Sequence, residues 1–374
     1  MYTQESLEDL IFLMFYGSVA MLALTAGLYL WLRRSNAIAP GITPPKALRR
    51  WTSLFFFTSA LSHIWWYVLG VYWLTDDRLV RNITAVLLDR LTLVPLVIAL
   101  LFSILQDRHR PLWPWILAQV PLVVLAAVGI AKHDIFYGLT LMDYMQMAVV
   151  VVFVVYYTYA VIRYGRWLNE NYADLEHKEV WQSMLIAVAL FIVYELYSTN
   201  PGEMTREYLA QVSTIVIIVF LLWRVETLQQ LDVKDDEIEN EIDAEAVCAE
   251  PHEAESGKKL LSIPEHIGPR LARYCEESQL YLQHDLTLPE LAKAIGTNRT
   301  YLSAYFAQQD ITYNTYVNSL RIEHFMRLYR EVESPQTTTA QRLAHESGFN
   351  SYSTFSTAFK RVKGISVAQW MREN

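Results

Sequence analysis

Seven long apolar stretches dominate the first 225 of the 374 residues and constrain the fold more than any other feature. Each is about 20 residues long, which is the length that a helix needs to cross the hydrocarbon layer of a membrane. They occupy residues 8–32, 51–74, 83–105, 111–131, 139–162, 180–199 and 206–225. The sequence therefore predicts an all-α protein in which residues 1–225 form a polytopic bundle of seven transmembrane helices.

The basic residues in the loops between these stretches predict the orientation of the bundle. The loops after the first, third and fifth spans contain Arg33, Arg34, Lys46, Arg49, Arg50, Arg108, Arg110, Arg163, Arg166 and Lys178. The opposite loops contain only Arg78, Arg81, Lys132 and Arg206. Because Lys and Arg are enriched on the cytoplasmic side, the N-terminus is predicted to lie outside a bacterial cytoplasmic (inner) membrane and the C-terminus in the cytoplasm.

Among the ionisable residues inside the predicted spans, where a charge is costly, five are candidates for a signal site. They are His63, Asp89, Arg90, Asp143 and Glu195. One interpretation is a polar cavity that opens to the outside and binds a small-molecule signal. The other is a set of structural pairs, with Arg90 bound to Asp143 or Glu195 and His63 hydrogen-bonded within the bundle. The pattern predicts no metal site and no cofactor.

Residues 226–260 are predicted to form an acidic cytoplasmic linker. Residues 226–257 contain 12 acidic side chains and one basic side chain. A solvated tether of this charge would repel DNA and anionic lipid, so it would reduce nonspecific adhesion of the following domain. Alternatively, Leu228, Leu231 and Ile238 continue the last span as a helix that pairs with a second copy of the chain.

Two short helical patterns follow within residues 285–370, and each is interrupted by a glycine and restarted by a polar capping residue. Gly296 and Asn298 fill these roles in the first pattern, and Gly348 and Ser351 fill them in the second. An amphipathic helix over about residues 313–329 joins the two. Tandem helix-turn-helix units predict DNA binding, because the second helix of each can enter a major groove.

Individual residues in this region match the pattern of a known family. They are Leu291-Ala292, Tyr301-Leu302, Phe306, Tyr316, Leu320-Arg321-Ile322-Glu323, Leu343-Ala344, Gly348-Phe349, Ser351, Phe355, Phe359-Lys360 and Gly364. On these residues the region resembles the DNA-binding domain of AraC-type bacterial transcription regulators. The resemblance implies a domain over residues 261–374 with two helix-turn-helix units. Asp310 departs from the family pattern, which has Gly there, and Ser366-Val367 replaces the usual Thr-Pro.

The resemblance also implies which side chains meet DNA. In the first unit the base-facing residues would be Thr300, Ser303 and Ala304, with Arg299 on a phosphate. In the second unit they would be Tyr352, Ser353, Ser356 and Thr357, with Lys360, Arg361 and Lys363 on phosphates. None of the base-facing residues is Arg, Lys, Asn or Gln, which make the bidentate contacts with purines, so low specificity per base is expected. The alternative for each position is an ordinary solvent-facing helix residue. Arg321 and Glu323 are expected to pack the two units together.

Together these features predict a membrane-bound one-component transcription regulator that binds double-stranded promoter DNA and is not an enzyme. Residues 258–374 carry a net charge of only +3, which predicts modest, salt-sensitive affinity and favours a homodimer. Contact with RNA polymerase is a further predicted partnership. The alternatives are a membrane transporter or enzyme with a regulatory DNA-binding tail, and a passive anchor with a protein-interaction module.

Overall fold

The computed structural model describes residues 7–33, 35–70, 75–184, 203–231, 266–331 and 340–373. All regular secondary structure in these residues is helical, as the sequence predicts. The chain divides into two compact units. The N-terminal unit comprises residues 1–162 and 180–231, and the C-terminal unit comprises residues 163–179 and 232–374.

Seven helices are described before residue 232. They are α1 (Leu7–Leu32), α2 (Lys46–Gly70), α3 (Arg78–Ile104), α4 (Trp113–Leu117), α5 (Val120–Lys132), α6 (Leu141–Asn171) and α7 (Glu203–Thr227). A π-helical turn, Phe136–Thr140, precedes α6. The sequence predicts one span where α4 and α5 lie. The helix is interrupted there because Pro121 has no N–H to donate to the preceding turn.

Among the residues that the structure describes, five helical segments are long and apolar enough to cross a membrane, by length and composition. They are Leu10–Leu32, Arg78–Ile104, Trp113–Lys132, Phe136–Asn171 and Glu207–Thr227. Helix α2 coincides with the second predicted span but begins with three basic residues in its first five, and it is not among the five segments. Most of the sixth predicted span, 180–199, lies outside the described residues. Several membrane-length helices are thus confirmed, while the number seven stays a prediction.

The surfaces of these helices carry large apolar side chains that are exposed. Met14, Trp31, Val155 and Val219 are each 60% exposed or more. Such extensive apolar surface is unusual for a protein solvated by water. It is the surface expected of helices that are solvated by lipid.

Two glycines allow the π-helical turn to approach α5 closely. A Cβ atom on Gly129 would lie 2.3 Å from the Cα atom of Gly138, and one on Gly138 would lie 2.2 Å from the Cδ1 atom of Ile83. Small residues let helix backbones approach in this way within membranes. A larger side chain at Gly129 would therefore require a shift of the backbone, and one at Gly138 would require Ile83 to move.

The segment that follows α7 packs within the N-terminal unit. The Glu226 carboxylate accepts hydrogen bonds from the backbone N–H groups of Ala37 (3.0 Å) and Ile38 (2.7 Å). Leu228 and Leu231 are buried. The first six residues of the predicted linker thus belong to the packed unit, and residues 232–265 lie outside the described residues.

The described part of the C-terminal unit contains seven further α-helices with two hydrophobic cores, and a π-helical turn (Ala272–Glu277) and a short 3-10 helix (Leu280–Leu282) follow the first of these helices. The helices are α8 (Ile267–Leu271), α9 (Leu288–Ala294), α10 (Arg299–Gln308), α11 (Tyr313–Glu331), α12 (Ala340–Glu346), α13 (Tyr352–Lys363) and α14 (Val367–Glu373). The first core joins α8, α9 and α10 to the start of α11 through Val317. The second joins α12, α13 and α14 to the rest of α11 through Ile322 and Phe325. The predicted amphipathic helix therefore links two helix-turn-helix units.

The caps and turns of these units follow the local sequence. Asn298 accepts a hydrogen bond from the N–H of Tyr301 (2.9 Å), and Ser351 accepts one from Thr354 (3.2 Å), as predicted. Gly296 and Gly348 both have positive φ angles. Asp310 also has a positive φ, 55°, which Asp tolerates better than most residues do. The turn before α11 is thus formed without the glycine that the family pattern has there.

Candidate nucleic-acid interface

Helices α10 and α13 are the second helices of their units and are held by their apolar faces. Leu302 and Phe306 of α10 are buried in the first core, and Phe355 and Phe359 of α13 are buried in the second. Because these pairs are four residues apart, each fixes one side of its helix inward. The opposite side of each helix faces away from its core.

The predicted DNA-contacting residues of α10 lie in its first two turns. Thr300 is exposed, whereas Arg299, Ser303 and Ala304 are half-buried. Arg299 directly follows the Asn298 cap, so it lies at the positive end of the helix dipole. This part of the surface offers one hydroxyl fully to solvent and three partly covered groups.

The predicted residues of α13 form a more exposed surface. Tyr352, Ser353 and Thr357 are exposed, and Ser356 is half-buried. Lys360, Arg361 and Lys363 are exposed in the last turn. Arg361 nevertheless has a protein partner, because its Nη2 atom donates a hydrogen bond to Oδ1 of Asn314. The helix therefore combines hydroxyl and aromatic groups along its length with positive charge at its C-terminal end.

Two polar residues at the start of α13, Asn350 and Thr354, are not among the predicted DNA contacts. Nδ2 of Asn350 donates hydrogen bonds to Oδ2 of Asp174 (2.7 Å) and to Oδ1 of Asp285 (2.8 Å). The hydroxyl of Thr354 donates to Oε2 of Glu176 (3.0 Å). These acidic partners are distant in sequence, so no spacing rule could have identified them.

The structure separates the candidate signal residues of the N-terminal unit into different contacts. Arg90 and Asp143 form an ion pair, as the structural-pair interpretation proposes. Asp89 instead accepts hydrogen bonds from the hydroxyl of Ser62 (2.6 Å) and the indole N–H groups of Trp65 (3.1 Å) and Trp66 (2.7 Å). Glu195 lies outside the described residues.

His63 is buried and has a protein partner on each ring nitrogen. Nδ1 lies 2.8 Å from the carbonyl oxygen of Ser59, and Nε2 lies 2.9 Å from Oε1 of Gln211. The Tyr16 ring packs against it, with 4.7 Å between the ring centres. Within the parts of the chain that the structure describes, no group of three or more His, Cys, Asp or Glu residues could hold a metal ion.

Cys275 is a buried thiol in the described part of the C-terminal unit. Burial is the main reason that the pKa of Cys275 is raised to about 11, and the neighbouring Glu276 carboxylate raises it further. The side chain is fully buried in the first core. Because the thiolate is the reactive form, Cys275 is a structural residue and not a nucleophile.

Comparison with known proteins identifies the second part of the chain. A family model described as a helix-turn-helix domain matches residues 291–373, which extend from α9 to α14 and include both units. No curated protein and no solved structure matches the chain. The match covers less than a quarter of the sequence, so it identifies this region and not the remainder. Residues 291–373 thus form an AraC-type helix-turn-helix domain of the kind used in DNA-binding transcription regulation, in a chain whose N-terminal helices are long and apolar enough to span a membrane.

Proposed function

We propose that the protein is a membrane-bound one-component transcription regulator that binds double-stranded promoter DNA through α10 and α13. The observation that carries this proposal is the pair of capped second helices, each packed on the same joining helix, within a matched AraC-type domain. In such units the exposed residues near the start of the second helix meet the base edges. Bound at a promoter, the domain would be positioned to contact RNA polymerase.

The DNA contacts that we propose follow the exposed surfaces of the two helices. Hydroxyl groups and the Tyr352 ring would contact base edges, while Arg299, Lys360 and Lys363 would contact phosphates. Arg361 would have to exchange its hydrogen bond with Asn314 for a phosphate. A net charge of +3 over residues 258–374 supports only a modest electrostatic contribution. Binding as a homodimer would double the number of contacts.

The proposed location is the cytoplasmic membrane of a bacterium, with the N-terminus outside. The membrane-length helices support a location in the membrane, and the basic residues in the loops after the first, third and fifth predicted spans support the orientation. We propose residues 1–225 as the membrane domain, 226–260 as the linker, whose first six residues pack on the N-terminal unit, and 261–374 as the DNA-binding domain. The membrane domain would respond to a small-molecule signal through the polar residues of its helices.

Chromatin immunoprecipitation of the full-length protein tests the proposed function. We expect clustered promoter peaks that disappear when both Lys360→Glu and Arg361→Glu are present, because both changes place negative charge against the phosphates. Arg273→Glu combined with Arg372→Glu is the matched control, since these exposed residues lie outside α10 and α13. An absence of promoter peaks in the wild type, or equal loss in both variants, would contradict the proposal.

A further inference from the structure

The loop after α6, residues 172–178, is bound to the C-terminal unit by its backbone. Asn314 donates hydrogen bonds from Nδ2 to the carbonyl oxygens of Tyr172 (3.1 Å) and Ala173 (2.7 Å). Asn318 donates another to the carbonyl oxygen of Ala173 (3.0 Å). Ala173 itself is fully buried in the first core. This segment, called the 172–178 loop below, is therefore packed into the domain.

Two carboxylates of the 172–178 loop lie at the start of α13. Asp174 is 4% exposed and accepts hydrogen bonds from Asn350 (2.7 Å) and, at the longer distance of 3.4 Å, from the hydroxyl of Thr354. Glu176 accepts the shorter hydrogen bond from Thr354 (3.0 Å). Thr354 occupies the first turn of α13, next to the predicted base-facing residue Ser353.

The end of the loop is fixed by an ion pair. Nζ of Lys178 lies 3.4 Å from Oδ1 of Asp285, and the Lys178 side chain is almost fully buried. The same Asp285 oxygen accepts the second hydrogen bond of Asn350. Lys178 thus neutralises part of the negative charge that the loop and Asp285 bring to this place.

Asn314 connects the loop to the other end of α13. Its Nδ2 atom donates to the loop carbonyls, while its Oδ1 atom accepts from Arg361. The loop therefore engages the first turn of α13 through Asp174 and Glu176 and the last turn through Asn314. Two residues of the proposed DNA-binding helix, Thr354 and Arg361, are held in this network.

The charge of the loop makes this contact incompatible with DNA at the same place. The first turn of a helix attracts anions, because its N–H groups point outward and the helix dipole is positive there. In recognition helices this end approaches the base edges and the flanking phosphates. The carboxylates of Asp174 and Glu176 bind the side chains of Asn350 and Thr354 at this end and would repel phosphates that approach the same turn.

We propose that the 172–178 loop is an autoinhibitory competitor of DNA, which occupies the start of α13 and must withdraw before DNA binds. The proposal rests on the proposed function. Two binders that exclude each other at one surface lower each other's apparent affinity by the same factor. Because the loop directly continues α6, any signal that moves α6 could change how often the loop is withdrawn.

Duplex binding by the full-length protein in lipid nanodiscs tests the competition. The probe is a fluorescent 30-base-pair duplex of mixed sequence, followed by anisotropy at low salt. We expect Asp174→Asn combined with Glu176→Gln to increase affinity about tenfold, which corresponds to about 1.4 kcal/mol. Glu170→Gln combined with Glu277→Gln removes the same charge from exposed positions and should stay close to the wild type.

A second variant separates loop release from the change of charge. Asn318→Ala removes one hydrogen bond to the loop, leaves the net charge unchanged and lies on α11, away from the proposed DNA contacts. It should also raise affinity, by a smaller factor of a few fold. In the wild type, hydrogen exchange of residues 172–178 should become faster when the duplex is added, because DNA would displace the loop.

The possible results separate the two proposals. If all variants bind the duplex as the wild type does and residues 172–178 exchange no faster with DNA, the competition is refuted while the proposed function stands. If no variant binds this duplex or the promoter fragments recovered by immunoprecipitation, both proposals fail. The competition is supported if the Asp174→Asn, Glu176→Gln variant and Asn318→Ala both bind DNA more tightly than the wild type does, while the Glu170→Gln, Glu277→Gln control does not.

Discussion

The guanidinium group of Arg321 lies 5.6 Å from the centre of the Phe349 ring and thereby joins the two helix-turn-helix units. Its Nε and Nη2 atoms donate hydrogen bonds to the carbonyl oxygens of Tyr281 and Gln283, each at 2.7 Å. The residue is fully buried. One side chain thus connects the loop before α9 with the turn before α13.

We predict that Arg321→Met destabilises the C-terminal unit by about 2 kcal/mol, because the buried carbonyl group of Tyr281 and the partly buried one of Gln283 lose their donor. The measurement is the urea concentration at which Cys275 becomes open to alkylation in full-length protein that also carries Cys248→Ser. The exposed Arg330 on the same helix supplies the control, and Arg330→Met should change stability by less than about 0.5 kcal/mol. Equal effects of the two changes would rule out a joining role for Arg321.

The raised pKa of Cys275 predicts a thiol that is inert in the folded protein. At pH 8 the thiolate fraction is very small because the pKa is about 11, and burial also blocks the reagent. In the Cys248→Ser background, mass spectrometry should detect almost no iodoacetamide adduct until urea unfolds the unit. Rapid modification without urea would mean that the first core is open in solution.

Gly348 is predicted to tolerate no side chain. It has a φ of 89°, and a Cβ atom there would lie 2.8 Å from the carbonyl oxygen of Leu282. Gly348→Ala therefore combines backbone strain with a clash against fixed backbone and should cost more than about 2 kcal/mol. Gly364 has a φ of 75° with open space around it, so Gly364→Ala should cost only about 1 kcal/mol. Denaturation curves of the two variants test this order. A larger loss of stability in Gly364→Ala than in Gly348→Ala would contradict the prediction.

His324 predicts a pH dependence of the C-terminal unit. Burial and the nearby Arg327 lower its pKa, and Nδ1 accepts hydrogen bonds from Tyr281 (3.2 Å) and Arg327 (2.7 Å). As the pH falls below about 6.5, the unfolded chain takes up a proton that the folded unit accepts only at lower pH. The urea midpoint should therefore decrease as the pH falls from 7 to 5.5, and His324→Gln should remove part of that decrease. The urea midpoint is measured from the exposure of Cys275, which is followed with a thiol reagent that works over this pH range, such as dithiodipyridine. An identical slope in the variant would contradict the assignment.

The ion pair between Arg90 and Asp143 predicts a pattern across three variants. Arg90→Met alone and Asp143→Leu alone each remove one member of the ion pair, which typically costs about 3 kcal/mol when the pair is buried and less here, because Asp143 is half-exposed. The double substitution should recover most of the lost thermal stability in detergent. Transcription from the bound promoters is then measured in cells that carry the double variant. If this variant is stable but no longer changes transcription as the wild type does, the two residues belong to a signal pocket and not only to the structural pair.

Much of the C-terminal unit could be predicted because its signals are local. Asn298 and Ser351 cap helices a few residues away, and Gly296 and Gly348 supply positive φ angles that few other residues adopt. The apolar spacing of Phe355 and Phe359 likewise determines which side of α13 faces the core. These features depend on backbone sterics and on hydrogen bonds within one turn, so a linear sequence contains them. The same applies to the long apolar helices, whose length reflects the thickness of a membrane.

The sequence by itself thus determined the helical class, the tandem units, their caps and the membrane-length helices. Only the tertiary structure decided that Asp174 and Glu176 lie against α13, that Arg361 bonds Asn314 and that Arg90 pairs with Asp143. It also placed Leu228 and Leu231 in the packed N-terminal unit. The physical reason is that each of these contacts joins residues tens to more than a hundred positions apart. Their partners are chosen by how whole helices pack, and no local periodicity records that choice.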